Sequence, residues 1–197
     1  MKLVFATSNP GKIKELQKYL ADLDWELVLK PQELEVEETG DTFLANARLK
    51  ASSVAIATNN WAIADDSGLQ VDALNGAPGV YSARYAATDS ERITKLLKEL
   101  GEETNREAQF ACAIAIARPD GTIALESEGI CRGEILHEAR GNHGFGYDPV
   151  FYVAEKQLTF AEMTTEVKRS ISHRGKALAG LLSQLEQIKP EKNQLKE

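Results

Sequence analysis

Residues 110–117 read FACAIAIA, an apolar run with no charged side chain, followed closely by Pro119-Asp120-Gly121. A run this short, bounded by a turn signal, fits a strand buried on both faces. Such a strand needs a covering layer on each side, so the chain must build a sheet with helices packed on it. The turn leads into residues 122–131 as a partner strand, giving a long antiparallel hairpin. Strands and helices alternate around it. Residues 2–6, 25–29 and 150–153 read as short strands, and 61–64 as a strand that breaks off at Asp65-Asp66-Ser67-Gly68.

Helical spacing recurs at Ile13, Leu16, Tyr19 and Leu20, with Asn9 as N-cap and Pro10 at the first helical position. It recurs at Leu44, Ala47, Ala51, Val54 and Ala55 behind Asp41, and at Ile93, Leu96, Leu97 and Leu100 behind a Thr88…Glu91 capping box, with Gly101 as the stop. A closing helix starts at Ser172 and carries Leu178, Leu181, Leu182, Leu185 and Ile188. The expectation is an α/β fold with a mixed sheet, one domain over 1–197, and a polar tail at 189–197 that frays.

The 23 Lys and Arg against 30 Asp and Glu leave a net charge of -7. That balance disfavours nucleic acid as a partner and leaves room for a small anion held by a few lysines or by a metal. No apolar run reaches membrane-spanning length, and the start turns polar too early for a signal peptide, so no membrane partner and a cytoplasmic location are expected. The two cysteines, Cys112 and Cys131, lie on opposite sides of the hairpin and read as reduced, buried thiols.

Several segments have the makings of a site. Thr7-Ser8-Asn9-Pro10-Gly11-Lys12 carries a strand through a small-residue turn into a helix, which aims free N–H groups at one point. An ordinary turn with a solvated lysine is the competing account. Lys12 in the first helical turn opposes the helix dipole unless an anion sits beside it, and Glu15 can supply one. Asp65-Asp66-Ser67-Gly68 sets two carboxylates on alternating sides, so that one faces a crevice and can ligate Mg²⁺. The same residues are turn formers, and a solvated turn fits equally well.

Glu37-Glu38-Thr39-Gly40-Asp41 is a second acidic patch with no clear period, able to share a cation with the first if the two meet. Gly144-Phe145-Gly146-Tyr147-Asp148-Pro149 lets backbone approach a flat ligand beside a stacking ring, or is simply a tight turn anchored by its aromatics. Ser172 suits an N-cap, and His173 and Arg174 behind it, with Lys168 before it, are either solvated or held toward a ligand oxygen. His137 and His143 have no ligand spacing.

These segments, together with Gly76-Ala77-Pro78-Gly79-Val80-Tyr81-Ser82-Ala83-Arg84 and in this order, resemble the inosine triphosphate pyrophosphatase family. The resemblance implies an elongated mixed sheet with flanking helices and two lobes around a central nucleotide-binding cleft. It implies Mg²⁺-dependent hydrolysis of ITP, dITP and XTP to the monophosphate and pyrophosphate, by a homodimer that cleanses the nucleotide pool. Thr7, Ser8, Asn9, Pro10, Gly11 and Lys12 would hold the triphosphate, with Ser8 standing where the family often has glycine. Glu37 and Asp66 would hold the metal and Asp66 accept the proton of the attacking water. Their neighbours Glu38 and Asp65 could share these duties, and Lys12 would neutralise phosphate charge. Ser67, Phe145, Gly146, Tyr147, Asp148, Lys168, His173 and Arg174 would surround the substrate, chiefly its base.

In-line attack at the α-phosphorus, and donors that match a 6-oxo purine but not a 6-amino one, complete the expectation. Two rivals stand beside it. One is a Maf-like pyrophosphatase acting on pyrimidine or modified nucleotides, and the other a nucleotide sensor that binds without turnover.

Overall fold

The computed structural model of the chain describes residues 2–7, 12–13, 16–17 and 25–185. The expected Asn9 cap and Pro10, Glu15, Tyr19, Leu20, Ile188 and the 189–197 tail lie outside the described residues, as does the side chain of Leu185. Strands β1 (Lys2–Phe5), β2 (Glu26–Leu29), β3 (Trp61–Val71), β4 (Glu107–Ala117), β5 (Ile123–Ile135), β6 (Phe151–Val153) and β7 (Leu158–Thr159) form one sheet in the order β2-β1-β3-β4-β5-β6-β7. The β2-β1-β3 part is parallel and everything from β3 to β7 is antiparallel. The mixed α/β sheet expected from the sequence is borne out.

The run at 110–117 lies in β4, between β3 and β5. Its two faces differ. Cys112, Ile114 and Ile116 pack with Leu178 and Leu181 of a closing helix, while Ala113, Ala115 and Ala117 face Ala47, Ala51, Val54 and Ala55 of the helix α1 (Phe43–Thr58). Each fully buried Ile or Leu contributes about 1.5–3 kcal/mol of burial free energy. The alanine face contributes less per residue but lets α1 approach the sheet closely. Phe110, at the other end of the run, meets the Phe151 ring at 4.7 Å and the Phe160 ring at 5.6 Å in a separate core cluster.

Caps set most helix boundaries. Thr42, not the expected Asp41, caps α1 by accepting from the Ala45 N–H at 3.1 Å. Thr88 and Glu91 form the expected capping box of α2 (Asp89–Leu100), and Gly101 ends it. A short helix, α3 (Thr165–Ile171), precedes α4 (His173–Leu185), and Ser172 between them accepts from the Gly175 N–H at 3.1 Å. Neither α3 nor β7 is signalled by the sequence. One is a seven-residue element and the other a two-residue element, too brief to display a period.

Cys112 and Cys131 are buried free thiols in different core clusters. Among the described residues no helix is long and apolar enough to cross a membrane.

Glycine at 129 lets α4 rest directly on β5. A Cβ there would fall 2.2 Å from the His173 carbonyl oxygen and 2.5 Å from the Ala177 nitrogen, both backbone atoms that cannot step aside alone. Gly129→Ala is therefore expected to lift the start of α4 and to cost about 2–3 kcal/mol. Urea unfolding would show it as a lower midpoint, and an unchanged midpoint would mean that α4 has room to move.

Candidate active site

The first apolar run of β3 stops at Ala64, but the strand does not. Its pairing with β4 runs on through Asp65↔Ile114, Asp66↔Ala113 and Ser67↔Cys112 as far as Val71↔Ala108. The strand that ends here is β1, whose Phe5 pairs with Ile63. Beyond that point, among the described residues, β3 has no strand on its β1 side. The crevice expected at a parallel strand's carboxyl end thus belongs to β1, and the carboxylates that reach it come from the middle of its neighbour. The reading of 65–68 as a turn is corrected accordingly: both aspartates are buried, at 4% and 7% exposure.

The two carboxylates have separate surroundings. Asp65 Oδ2 lies 2.9 Å from Lys12 Nζ and 3.4 Å from Arg174 Nε. Burial alone would push its pKa up, but Lys12, Arg174 and Lys50 outweigh that and hold the carboxyl well below the usual carboxylate range. Its Oδ1 has no hydrogen-bond partner among the described residues. Arg174 also donates from Nη2 to Ser67 Oγ at 3.0 Å.

Asp66 instead accepts at Oδ2 from Asn46 Nδ2 at 2.9 Å and at Oδ1 from the Ser67 N–H at 3.0 Å. Burial raises its pKa, and the opposing pull of Lys50 and the Asn46 bond does not cancel the rise.

The second acidic patch reaches this place through Glu38. Lys50 Nζ lies 2.5 Å from Glu38 Oε1 and 3.8 Å from Asp66 Oδ1, so one ammonium sits between the two carboxylates. Arg84 Nη1 approaches Glu38 from outside at 3.4 Å. Glu37 is exposed and is not part of the cleft lining. The reason is an extended backbone: from 33 to 40 exposed and half-buried residues alternate, placing Leu34, Val36, Glu38 and Gly40 inward. That period of two begins with the apolar pair Leu34 and Val36 and was available in the sequence.

Asn46 fixes the segment further by accepting from the Gly40 N–H at 2.7 Å while donating to Asp66. Asn46 and Lys50 stand in none of the motifs. Their i, i+4 spacing beside Ala47 and Ala51 was the signal that both point to the sheet.

The Phe145 loop forms another wall. Asp148 Oδ2 accepts from the Phe145 N–H at 2.9 Å and from Lys168 Nζ at 2.5 Å, and Lys168 lies 5.4 Å from the Phe145 ring centre. Gly144 is required here: its φ is +80° and a Cβ would collide with Asp148 Oδ2 at 1.9 Å. The buried Tyr147 donates its hydroxyl to the Ser82 carbonyl at 3.0 Å, and Ser82 Oγ accepts from the Leu69 N–H at 2.9 Å. The segment 76–84 thus hooks the loop onto β3.

His173 is buried and stacks on Phe110 at 4.7 Å. Burial, helped by the nearby Arg174 and Lys168, lowers its pKa well below the ordinary value, so the ring is neutral at pH 7. Its Nδ1 has no hydrogen-bond partner among the described residues.

These walls enclose a cleft of about 840 Å³, within the range of small-ligand sites. Of the expected residues, Thr7, Lys12, Glu38, Asp66, Ser67, Phe145, Gly146, Tyr147, Asp148, Lys168, His173 and Arg174 line it. Asp65 stands behind it, holding Lys12 and Arg174. Ser8, Asn9, Pro10 and Gly11 lie outside the described residues.

Among the described residues no group of three or more His, Cys, Asp or Glu could hold a metal ion. A pair of carboxylates already converging on one ammonium nevertheless fits a hard cation that takes one or two carboxylates and fills its remaining positions with water and phosphate oxygens.

A family model described as the Ham1 family matches residues 3–184. A dITP/XTP pyrophosphatase from Nostoc sp. is 73% identical over 183 residues, covering 93% of each chain. One from Synechocystis sp. is 60% identical, covering 92% of this chain and 94% of its own. Among solved structures, a HAM1 protein from Coxiella burnetii superposes with a TM-score of 0.90 at 43% identity, over 95% of this chain and all (100%) of the other. The Ham1 protein of Staphylococcus aureus gives 0.88 at 43%, over 96% and 100%. The resemblance carried by the motifs is borne out, and the chain belongs to the Ham1 family.

Proposed function

We propose that the chain hydrolyses the deaminated purine nucleoside triphosphates ITP, dITP and XTP to the monophosphate and pyrophosphate, with Mg²⁺ as cofactor. It thereby removes these nucleotides from the pool available for nucleic-acid synthesis. The observation that carries the reading is the meeting of Asp66, Glu38 and Lys50 in the same cleft as Lys12 and the Phe145 loop. The names of the relatives, dITP/XTP pyrophosphatase, support the substrate class. The same proposal has the chain act in the cytoplasm as one domain over 1–197 and as a homodimer of the 21.6 kDa chain, which sedimentation would test.

Asp66 and Glu38 would hold the ion, in preference to the outward-facing Glu37. Bound there, Mg²⁺ supplies positive charge against the phosphate oxygens. The remaining work belongs to the chain. Lys12, held in place by Asp65, and Lys50 offset the charge that builds on the phosphates during transfer. Asp66, with its raised pKa and fixed by Asn46, takes the proton of a water attacking in line at the α-phosphorus. Phe145 offers a ring face to the base. Arg174, Lys168 and loop amides offer donors to a 6-oxo group, whereas adenine presents a donor there and would leave them unpaired.

Asp66→Asn is expected to lower kcat for ITP by roughly 10³-fold while calorimetry still registers nucleotide binding; near-wild-type turnover would remove Asp66 from proton transfer. Arg174→Ala should reduce kcat/KM for ITP about tenfold more than for ATP. Equal losses would limit Arg174 to holding Asp65 and Ser67. Hydrolysis in ¹⁸O-water should label the monophosphate, and label in pyrophosphate would move the attack to the β-phosphorus. Binding of ITP with no release of pyrophosphate would replace the enzyme reading by the sensor reading.

A further inference from the structure

Asp89 and Glu35 are carboxylates of the cleft wall that stand outside all the motifs, and Asp89 is bonded to another part of that wall. Asp89 is the first residue of α2, next to its Thr88 cap, where a negative charge stabilises a helix N-terminus. That role explains its charge but not where its oxygens go. Oδ1 accepts from Arg92 Nη1 at 2.6 Å, and Oδ2 accepts from the Gly146 N–H at 2.7 Å, across the cleft wall from another part of the chain. Arg92 is itself anchored, donating from Nε to the Ala86 carbonyl at 3.0 Å. Asp89 is therefore braced from behind and bonded in front to the loop that carries Phe145.

The loop needs that bond. Gly146 has a φ of +62° with open space where a Cβ would stand, and glycine has the widest backbone freedom of any residue, so its N–H bond to Asp89 restrains a permissive position. The Phe145 ring is 41% exposed and is not locked by a core. Tyr147 anchors the loop from below through Ser82, and beside Phe145 the backbone is fixed by three bonds, Phe145 N–H to Asp148 Oδ2, Asp148 N–H to the Phe145 carbonyl and Gly146 N–H to Asp89, of which the last alone reaches α2. We propose that Asp89 is a positioning residue for base recognition, acting through the Gly146 amide to preset the Phe145 ring. The proposal rests on the reading of the Phe145 ring as the base-stacking face. An ungripped loop would have to be ordered by each incoming nucleotide, which weakens binding without touching Asp66, Lys12 or Lys50.

The test compares Asp89→Ala, Asp89→Asn and Glu91→Ala. Asp89→Ala should raise KM for ITP roughly tenfold with kcat held within about twofold. Asp89→Asn, which keeps an oxygen for the amide, should restore KM to within about threefold of wild type. Glu91→Ala breaks the same capping box without touching Gly146 and should leave KM unchanged. Hydrogen exchange without nucleotide should show faster exchange at residues 144–147 in Asp89→Ala only.

A loss of kcat at constant KM, equal KM effects in Asp89→Ala and Glu91→Ala, or unaltered exchange in Asp89→Ala would each overturn the proposal. Should wild type hydrolyse no deaminated purine triphosphate, the functional reading would fall on that result alone. The exchange data, which need no substrate, would still decide whether Asp89 holds the loop.

Discussion

A carboxylate that is 4% exposed in the middle of a sheet is tolerable only because two cations come to it. Asp65 would otherwise be an unpaired buried charge, costing several kcal/mol. Lys12, in the helical residues after β1, and Arg174, in the first turn of α4, supply the charge. The dependence runs both ways. Three segments distant in sequence are tied at one point, and the strand carrying Asp65 is paired to β4 along its length, so the point barely moves. Cations placed in this way need little rearrangement when a charged ligand arrives, which is the condition under which fixed charges act most strongly.

Much of the scaffold was legible because its signals are local or doubly determined. The run at 110–117 had to be central, since no half-exposed strand can use eight such residues in succession. The Thr88 and Glu91 box is a contact within one helical turn, readable without the rest of the fold. The continuation of β3 was not, because Asp, Ser and Gly favour turns by themselves and are kept in a strand here by β4 and the cations around it. Tertiary partners overrode local preference at the place where the chemistry sits.

The site shows the same division. The motifs named the loops but not which member of each acidic pair turns inward. For Asp65 and Asp66 that is settled by the register with β4, and for Glu38 by the extended backbone running from Leu34. Asn46 and Lys50 belong to a helix face otherwise read as core. An amide and an ammonium at the sheet surface acquire meaning only once Asp66 and Glu38 are known to stand opposite. Ser82 is similar: in a loop of turn formers it proves to be the peg between β3, which it meets through its hydroxyl, and Tyr147, which it meets through its carbonyl.

Three ammonium groups of the cleft are matched to carboxylates, Lys12 to Asp65, Lys50 to Glu38 and Lys168 to Asp148, while Lys30 Nζ donates to the Leu34 carbonyl at 2.7 Å. The positive field that a lone anion meets at those three is weakened, since each of them is shared with a carboxylate. A guest with several linked charges gains from all three at once while the pairs stay in place. Smaller pieces of it gain from fewer of those cations and are held more weakly.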